Sequence, residues 1–225
     1  MSKSAIVLGG TSGIGRAVVD QLRERGMRVI AASRRDSADA DHEQVDVLDR
    51  DALSDLFVKY APFDYLVNAA TGGERATGPF LEMDLDGFQG SFAKLWGYVN
   101  SVRLAAQHMN TNGAITLVSG YPARKCEPGM SAISTVGNAV EGFVRAIAPE
   151  LAPLRINAVA PGLIDTEMFT QTGAERESLF TNATANYLIP RAGRPEEVAS
   201  AIVFQLENEF VTGTVIDVDG GALLP

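Results

Sequence analysis

The chain has 225 residues, 46% of them hydrophobic, and carries a net charge of −9 at pH 7. This length and hydrophobic content suit one domain with a substantial core. The acidic balance argues against nucleic acid or an anionic membrane surface as a partner, because both are bound through basic patches.

Residue types that mark metal-binding, secreted or membrane proteins are scarce. The single cysteine, Cys126, excludes an intrachain disulfide, and the two isolated histidines, His42 and His108, lack the spacing of metal ligands. No stretch approaches the roughly 20 apolar residues that span a bilayer, and no N-terminal run has the pattern of a targeting peptide. We therefore expect a cytoplasmic protein without a metal site or a membrane partner.

Short apolar strands alternate with longer helical patterns along the chain. Strands are predicted at residues 5–8, 28–32, 65–67, 114–118, 155–160 and 214–218. Helices are predicted at residues 14–25, 50–60, 85–108, 131–151 and 196–206. This alternation is typical of βαβ units. It predicts an α/β protein with a single-domain Rossmann fold over residues 1–225, whose doubly wound parallel sheet has about seven strands with helices on both faces.

Two segments depart from this rhythm. The acidic stretch DSADADHE, residues 36–43, is interpreted as a solvated loop. Residues 165–186 are rich in Thr, Gly, Glu and Asn and fall late in the chain, where such sheets carry loops over their ligand crevice. We predict that residues 165–186 form a substrate lid.

The first strand leads through a glycine-rich turn into an amphipathic helix, in the stretch AIVLGGTSGIGRAVVDQLRERG. Glycines allow unusual backbone angles in the turn and a close approach of the backbone to a pyrophosphate. The free N–H groups and the dipole of the helix then bind the phosphates. The residues predicted to contact a dinucleotide here are Gly9, Thr11, Ser12, Gly13, Ile14 and Gly15.

The end of the second strand indicates which dinucleotide is bound. Proteins of this architecture that prefer NAD place an acidic residue there, on the ribose 2′-hydroxyl. This chain has Ser33, Arg34 and Arg35 instead. Guanidinium groups suit a 2′-phosphate, so we predict NADP(H) in preference to NAD(H). The alternative is that an arginine only caps a solvated loop.

These features resemble the short-chain dehydrogenase/reductase superfamily over nearly the whole chain. The family's turn motif TGxxxGxG appears as LGGTSGIG, its NNAG segment as NAAT, and its PG motif as PGLIDT, while GTVIDVDGG is very like its last strand. The resemblance implies that Asp46 and Val47 flank the adenine. It also implies contacts on the ribose side from Asn68, Ala69 and Ala70, and at the nicotinamide end from Pro161, Gly162, Ile164 and Thr166.

The resemblance also implies four catalytic positions. In this family a tyrosine exchanges the proton, a lysine four residues later on the same helix face lowers its pKa, a serine orients the substrate, and an asparagine supports a relay water. Aligned on NAVEGFVRAIAPELAPLRINAVAPG, the tyrosine position falls on Met130 and the lysine position on Ser134. The serine position falls on Gly120, one residue after Ser119, and the asparagine position on Lys94. All four positions are therefore predicted to be substituted.

The stretch YPARK, residues 121–125, repeats the tyrosine–lysine spacing in the loop after the fifth predicted strand. Because Pro122 disfavours helical angles at Tyr121, we expect Tyr121 and Lys125 not to share a helical face. A substitute catalytic set would consist of Ser119, Tyr121 and Lys94, with Lys94 also binding the nicotinamide ribose. The alternative is that Tyr121 caps the loop, Ser119 bonds to backbone and Lys94 pairs with a carboxylate.

Three functions follow from these residues. The favoured one is an NADP(H)-dependent oxidoreductase acting on a small carbonyl or alcohol with atypical catalytic groups, because the predicted nicotinamide end is intact. The second is a catalytically inactive NADP(H)-binding protein with a regulatory or interaction role, and the third is a structural subunit without cofactor. The resemblance further implies a homodimer or homotetramer formed through the helices at 85–108 and 131–151.

Overall fold

The computed structural model describes residues 2–71 and 73–224, and its described part contains one sheet of seven parallel strands. The strands are Ser4–Leu8 (β1), Arg28–Ser33 (β2), His42–Gln44 (β3), Phe63–Asn68 (β4), Met109–Val118 (β5), Arg155–Pro161 (β6) and Val215–Val218 (β7). Their order in the sheet is β3-β2-β1-β4-β5-β6-β7. The order reverses beside β1, so a crevice is expected between the carboxyl ends of β1 and β4.

Helices cover both faces of this sheet. They are Gly13–Glu24 (α1), Arg50–Tyr60 (α2), Leu85–Gly90 (α3), Ala93–Ala105 (α4), Ser131–Leu151 (α5), Gly173–Ala183 (α6) and Pro195–Glu207 (α7). Three short 3-10 turns lie at Phe80–Glu82, Ala106–His108 and Tyr121–Ala123. No helix in the described ranges is both long and apolar enough to cross a membrane.

The two faces of β1 show how the sequence pattern builds the core. Ile6 and Leu8 pack in one hydrophobic cluster with side chains of α2, α4 and α5, and Ala5 and Val7 pack in the other with side chains of α1 and α7. Successive strand residues point to opposite faces, so a strand buried on both sides is apolar throughout. The predicted doubly wound parallel fold is confirmed.

The predicted helix at 85–108 is interrupted. The α3 helix ends at Gly90 and α4 begins at Ala93. At this break the Ser91 hydroxyl donates to the Gly87 carbonyl over 2.9 Å and accepts the Ala76 N–H over 2.9 Å. A serine that bonds back into its own helix competes with the backbone ladder and bends the helix. The helical pattern of the sequence continues across the break, so the sequence alone predicts one uninterrupted helix.

The acidic stretch at 36–43 is only partly the solvated loop that was predicted. His42 and Glu43 belong to β3, which pairs with β2. Arg23 of α1 binds Asp39 at 2.7 Å, and its hydrogen bond lowers the pKa of that carboxyl to about 2. A three-residue polar edge strand has too little apolar pattern to be predicted from sequence.

Candidate active site

A cleft of about 810 Å³ lies at the carboxyl ends of the strands. The loops that follow β1, β2, β4, β5 and β6 all contribute to it. The residues predicted for a dinucleotide that line this cleft are Gly9, Thr11, Ser12, Gly13, Ile14, Gly15, Ser33, Arg34, Arg35, Val47, Ala69, Ala70, Lys94, Pro161, Gly162, Ile164 and Thr166. The fold thus brings together residues that lie far apart in the sequence.

The side chains of two further predicted contacts, Asp46 and Asn68, are bonded within the protein and do not line the cleft. The Asp46 carboxylate accepts the Leu48 N–H over 2.9 Å. Asn68 is fully buried, where its amide donates to Ser101 Oγ over 2.9 Å and its Oδ1 accepts the Ala70 N–H over 3.0 Å. Both side chains shape loops whose neighbouring residues line the cleft.

The glycine turn leaves no space for a side chain at Gly9 or Gly15, because the neighbouring backbone is too close. Gly9 has a φ of +77°, and a Cβ there would lie 2.8 Å from Ala70 N. A Cβ on Gly15 would lie 2.1 Å from Gly9 O. The Ser12 side chain makes no capping bond, so it leaves the first N–H groups of α1 to other acceptors. This arrangement fits a pyrophosphate at the N-terminus of α1.

Gly15→Ala is expected to lower the free energy of unfolding by about 3 kcal/mol, because the new methyl group would overlap a backbone carbonyl that cannot rotate away. Chemical denaturation measures the change. Gly142→Ala in α5 is the matched control, because no atom lies within 4 Å of its Cβ and alanine favours a helix. Equal stabilities of the two variants would contradict the geometry of the turn.

Two unpaired arginines lie at the end of β2. The Ser33 hydroxyl donates to Arg35 O over 2.7 Å, and the Gln44 amide donates to Arg34 O over 3.0 Å. These bonds fix the backbone of the loop, and both guanidinium side chains are exposed along the cleft. No carboxylate among the described residues lies within ion-pair distance of either, so both can bind an anion.

Lys94 enters the cleft from the first turn of α4. Its Nζ donates to Ser119 O over 2.9 Å and lies 5.6 Å from the centroid of the Tyr98 ring. Burial, with a smaller contribution from the charge of Arg75, lowers the pKa of Lys94 to about 7. No carboxylate among the described residues pairs with Lys94, in contrast to the alternative drawn from the sequence.

The Ser119 hydroxyl is directed toward α5. It donates to the buried carboxylate of Glu141 over 3.1 Å and approaches Gly137 O at 3.4 Å. Arg124 and Arg145 flank the same carboxylate at 3.4 and 3.9 Å. The hydroxyl is therefore committed to a structural network, and Ser119 offers the cleft mainly its carbonyl, which holds Lys94.

Tyr121 lines the cleft but is not paired with Lys125. It begins the short turn Tyr121–Ala123, and the Lys125 N–H bonds to Tyr121 O over 3.1 Å, so Pro122 is accommodated in a helical turn that was not expected. Lys125 Nζ binds Ala222 O at 2.7 Å. Burial raises the pKa of Tyr121, and hydrogen bonding to Tyr187 partly offsets the shift. Tyr121 is thus a protonated phenol that does not have Lys125 beside it.

The α5 helix contributes neither a phenol nor an amine to the cleft. Met130 lines the cleft as predicted, but Ser134 does not, and its buried hydroxyl has no hydrogen-bond partner among the described residues. Ile133 and Val136 line the cleft instead. The positions near the start of α5 that line the cleft are therefore Met130, Ile133 and Val136, which are three residues apart. Residues 130–137 contain no tyrosine or lysine.

Sequence reasoning missed several residues that the 165–186 segment and the loop after β4 bring to the cleft, among them Glu167, Met168 and Arg75. Gly13 N donates to Glu167 Oε2 over 3.0 Å, so a carboxylate occupies the N-terminus of α1. Arg75 Nη2 lies 2.7 Å from Met168 Sδ. These contacts join segments remote in sequence, and no local pattern marks them.

Comparison with known proteins agrees with this geometry. A family model described as Enoyl-(Acyl carrier protein) reductase matches residues 9–222. A short-chain dehydrogenase/reductase, ATR9 of Stachybotrys chlorohalonatus, is 30% identical to this chain. The alignment covers 99% of this chain and 97% of that protein. The chain belongs to the short-chain dehydrogenase/reductase superfamily. These matches confirm the predicted family. Members of this superfamily are oxidoreductases that bind a nicotinamide cofactor.

Other short-chain dehydrogenase/reductase relatives cover the full chain. The 3-oxoacyl-[acyl-carrier-protein] reductase of Mus musculus is 32% identical over 100% of this chain and 99% of its own length. A small-chain dehydrogenase solved in complex with NADPH has a TM-score of 0.91, with 32% identity and full coverage of both chains. The aldohexose dehydrogenase of Thermoplasma acidophilum has a TM-score of 0.88 and 32% identity, over 98% of this chain and 93% of its own.

Proposed function

We propose that this short-chain dehydrogenase/reductase is an NADP(H)-dependent oxidoreductase that interconverts a small carbonyl compound and its alcohol. Lys94 would take the place of the family's tyrosine–lysine pair. The observation that carries this proposal is the Lys94 amine, which lies in the cleft and has no carboxylate partner in the described ranges. The structural neighbour solved with NADPH supports the choice of cofactor.

The residues present fit the cofactor. The glycine turn and the N-terminus of α1 would bind the pyrophosphate, while Arg34 and Arg35 would bind a 2′-phosphate. Pro161, Gly162, Ile164 and Thr166 line the cleft where the family binds the nicotinamide. When bound, the nicotinamide exchanges a hydride with the substrate carbon.

The remaining chemistry concerns the substrate oxygen. In carbonyl reduction this oxygen becomes negatively charged and must gain a proton. The Lys94 ammonium would stabilise that charge, because a cation in a partly desolvated cleft acts strongly on a developing oxyanion. With a pKa of about 7, Lys94 also has the acidity that suits a proton donor near neutral pH. Tyr121 would add a neutral hydrogen-bond donor at the cleft mouth.

A screen of carbonyl compounds and alcohols with NADPH and NADP tests the proposal. We expect turnover above a cofactor-only control for at least one small compound. A protein that binds NADPH tightly but turns over none of the panel would instead be the second candidate, a catalytically inactive NADP(H)-binding protein. The absence of a phenol or amine from α5 and the turned-away Ser119 hydroxyl favour that candidate. If the protein does not bind NADPH, only the third candidate remains, which is a structural subunit without cofactor.

Glu167→Gln is expected to tighten NADPH binding about 3- to 10-fold. The Glu167 carboxylate accepts the Gly13 N–H where the pyrophosphate is proposed to bind, so its charge opposes the phosphates and competes for the same donor. Calorimetric titration with NADPH measures the change. Glu177→Gln, on the exposed surface of α6, is the control for removing one negative charge. Weaker NADPH binding by Glu167→Gln would show that Glu167 helps to bind the cofactor.

We also propose that the protein assembles as a homodimer or homotetramer through α4 and α5. Trp96 of α4 is 56% exposed, which is unusual for so large an apolar side chain and would be relieved by a partner helix. Light scattering gives the mass in solution, and a monomer at micromolar concentration would contradict this assembly.

A further inference from the structure

Arg75 lies in the loop between β4 and α3 and lines the cleft. Arg75 donates to Met168 Sδ, and a thioether is a weak acceptor that leaves most of the guanidinium donors free. Among the described residues, no carboxylate lies within ion-pair distance of Arg75. This side chain is therefore available to an anion that enters the cleft.

Lys94 is a second basic side chain that lines the same cleft as Arg75. The positive charge of Arg75 contributes to lowering the pKa of Lys94. Glu167 is the one acidic side chain among the described residues that line the cleft, and it is bonded to Gly13 N. In a protein with a net charge of −9, two basic side chains that line one cleft and have no carboxylate partner among the described residues favour an anion-binding site over a balanced surface.

The position of Arg75 favours the substrate over the cofactor phosphates. Those phosphates have their proposed sites at the N-terminus of α1 and at Arg34 and Arg35. Arg75 instead contacts Met168, two residues after Thr166 at the proposed nicotinamide end, and its charge contributes to lowering the pKa of Lys94, which is bonded to Ser119. An anion held by Arg75 would lie beside the reacting centre.

We propose that Arg75 binds a carboxylate of the substrate, so that the preferred substrates are oxo acids and the matching hydroxy acids. The inference rests on the proposed function and specifies its substrate class. A guanidinium group binds a planar carboxylate through two parallel hydrogen bonds and distinguishes it from a neutral ester of the same shape. Lys94 remains available to the carbonyl oxygen.

The test compares 2-, 3- and 4-oxo acids with their methyl esters at pH 7, with NADPH. We expect the best acid to exceed its ester at least 10-fold in kcat/KM, and Arg75→Gln to abolish that preference. Arg75→Lys should restore part of it, because the positive charge remains. Arg25→Gln removes the same charge from the exposed C-terminal end of α1, outside the cleft, and should keep the parent preference.

A binding experiment decides the inference independently of turnover. The same acids and esters are titrated calorimetrically into the NADP-loaded protein, where the parent should bind the acid at least 10-fold more tightly than the ester and Arg75→Gln should bind both alike. An unchanged acid-to-ester ratio in Arg75→Gln, or tighter binding of the esters by the parent, overturns the inference. Selective acid binding without turnover would support it while counting against the proposed activity.

Discussion

Lys94→Met is expected to lower kcat/KM for carbonyl reduction by at least about 100-fold, because methionine offers neither a charge nor a proton to the substrate oxygen. NADPH affinity should fall much less, since the proposed phosphate contacts lie elsewhere in the cleft. Steady-state kinetics and calorimetric titration of the same preparation separate the two effects. Lys59→Met on α2 removes an exposed lysine outside the cleft and should retain full activity.

The pKa of Lys94 gives this variant a distinctive pH dependence. The value of about 7 means that the ammonium form is lost as pH rises through 7, so the reduction rate of the parent should fall above that pH. The variant should lack this decline. A parent profile without a decline between pH 6 and pH 9 would remove Lys94 from the proton-donating role.

The stability of the parent protein should rise with pH over the range in which its reduction rate falls. Lys94 has a lowered pKa in the folded protein, so between pH 7 and its ordinary value near 10.5 the unfolded chain binds more protons. The cost of burying the charge is therefore fully present below pH 7 and is relieved as pH rises through that interval. We expect Lys94→Met to melt at or above the parent temperature at pH 6, with the advantage shrinking by pH 9. A lower melting temperature at pH 6 would show that its activity loss reflects a damaged fold.

Replacing Arg34 and Arg35 together by alanine is expected to weaken NADPH binding about 100-fold and to change NADH binding by less than about 3-fold. Each guanidinium would contribute about 1.5 kcal/mol through charge-assisted hydrogen bonds to a 2′-phosphate, which NADH lacks. Two hydrogen bonds fix the backbone of this loop, and no carboxylate among the described residues pairs with either arginine. Both observations favour binding of the 2′-phosphate by these arginines. Calorimetric titration with both dinucleotides measures the change.

The control for this pair is the double variant Arg25→Ala with Arg28→Ala, which removes two exposed arginines outside the cleft. It should leave both affinities unchanged. NADH binding more tightly than NADPH in the parent protein would contradict the proposed cofactor. If the arginine variant lost the same affinity for NADPH as for NADH, the two side chains would bind a group that both dinucleotides share.

The cofactor half of the cleft could be predicted because its signals are local. The glycine turn and the Ser33 to Arg35 loop each lie within one strand-to-loop connection, so the chemistry can be recognised from neighbouring residues. The alternation of strand and helix patterns predicted the sheet, because this signal also lies in neighbouring residues. The short polar strand β3 was missed because three residues at a sheet edge carry almost no apolar pattern.

The surroundings of the proposed catalytic residues were harder to predict, because their contacts join distant segments. Ser119 was a reasonable candidate by position, but Glu141 on α5 takes its hydroxyl. Arg75 and Glu167 reach the cleft through loop geometry that no spacing rule encodes. The count along α5 placed the lysine position at Ser134, whereas the face that lines the cleft runs through Ile133 and Val136. Only the helical rotation in the folded chain distinguishes these registers.

Single turnover with NADPH deuterated at the transferred position tests the central claim most directly. The parent protein and Lys94→Met are each mixed with this cofactor and the best oxo compound from the screen, and the product alcohol is analysed by mass spectrometry. We expect one deuterium on the carbinol carbon with the parent and at least about 100-fold slower labelling with Lys94→Met. Equal rates of labelling in the two proteins, or unlabelled product from a parent that has NADPH bound, would contradict catalysis by Lys94 in this cleft.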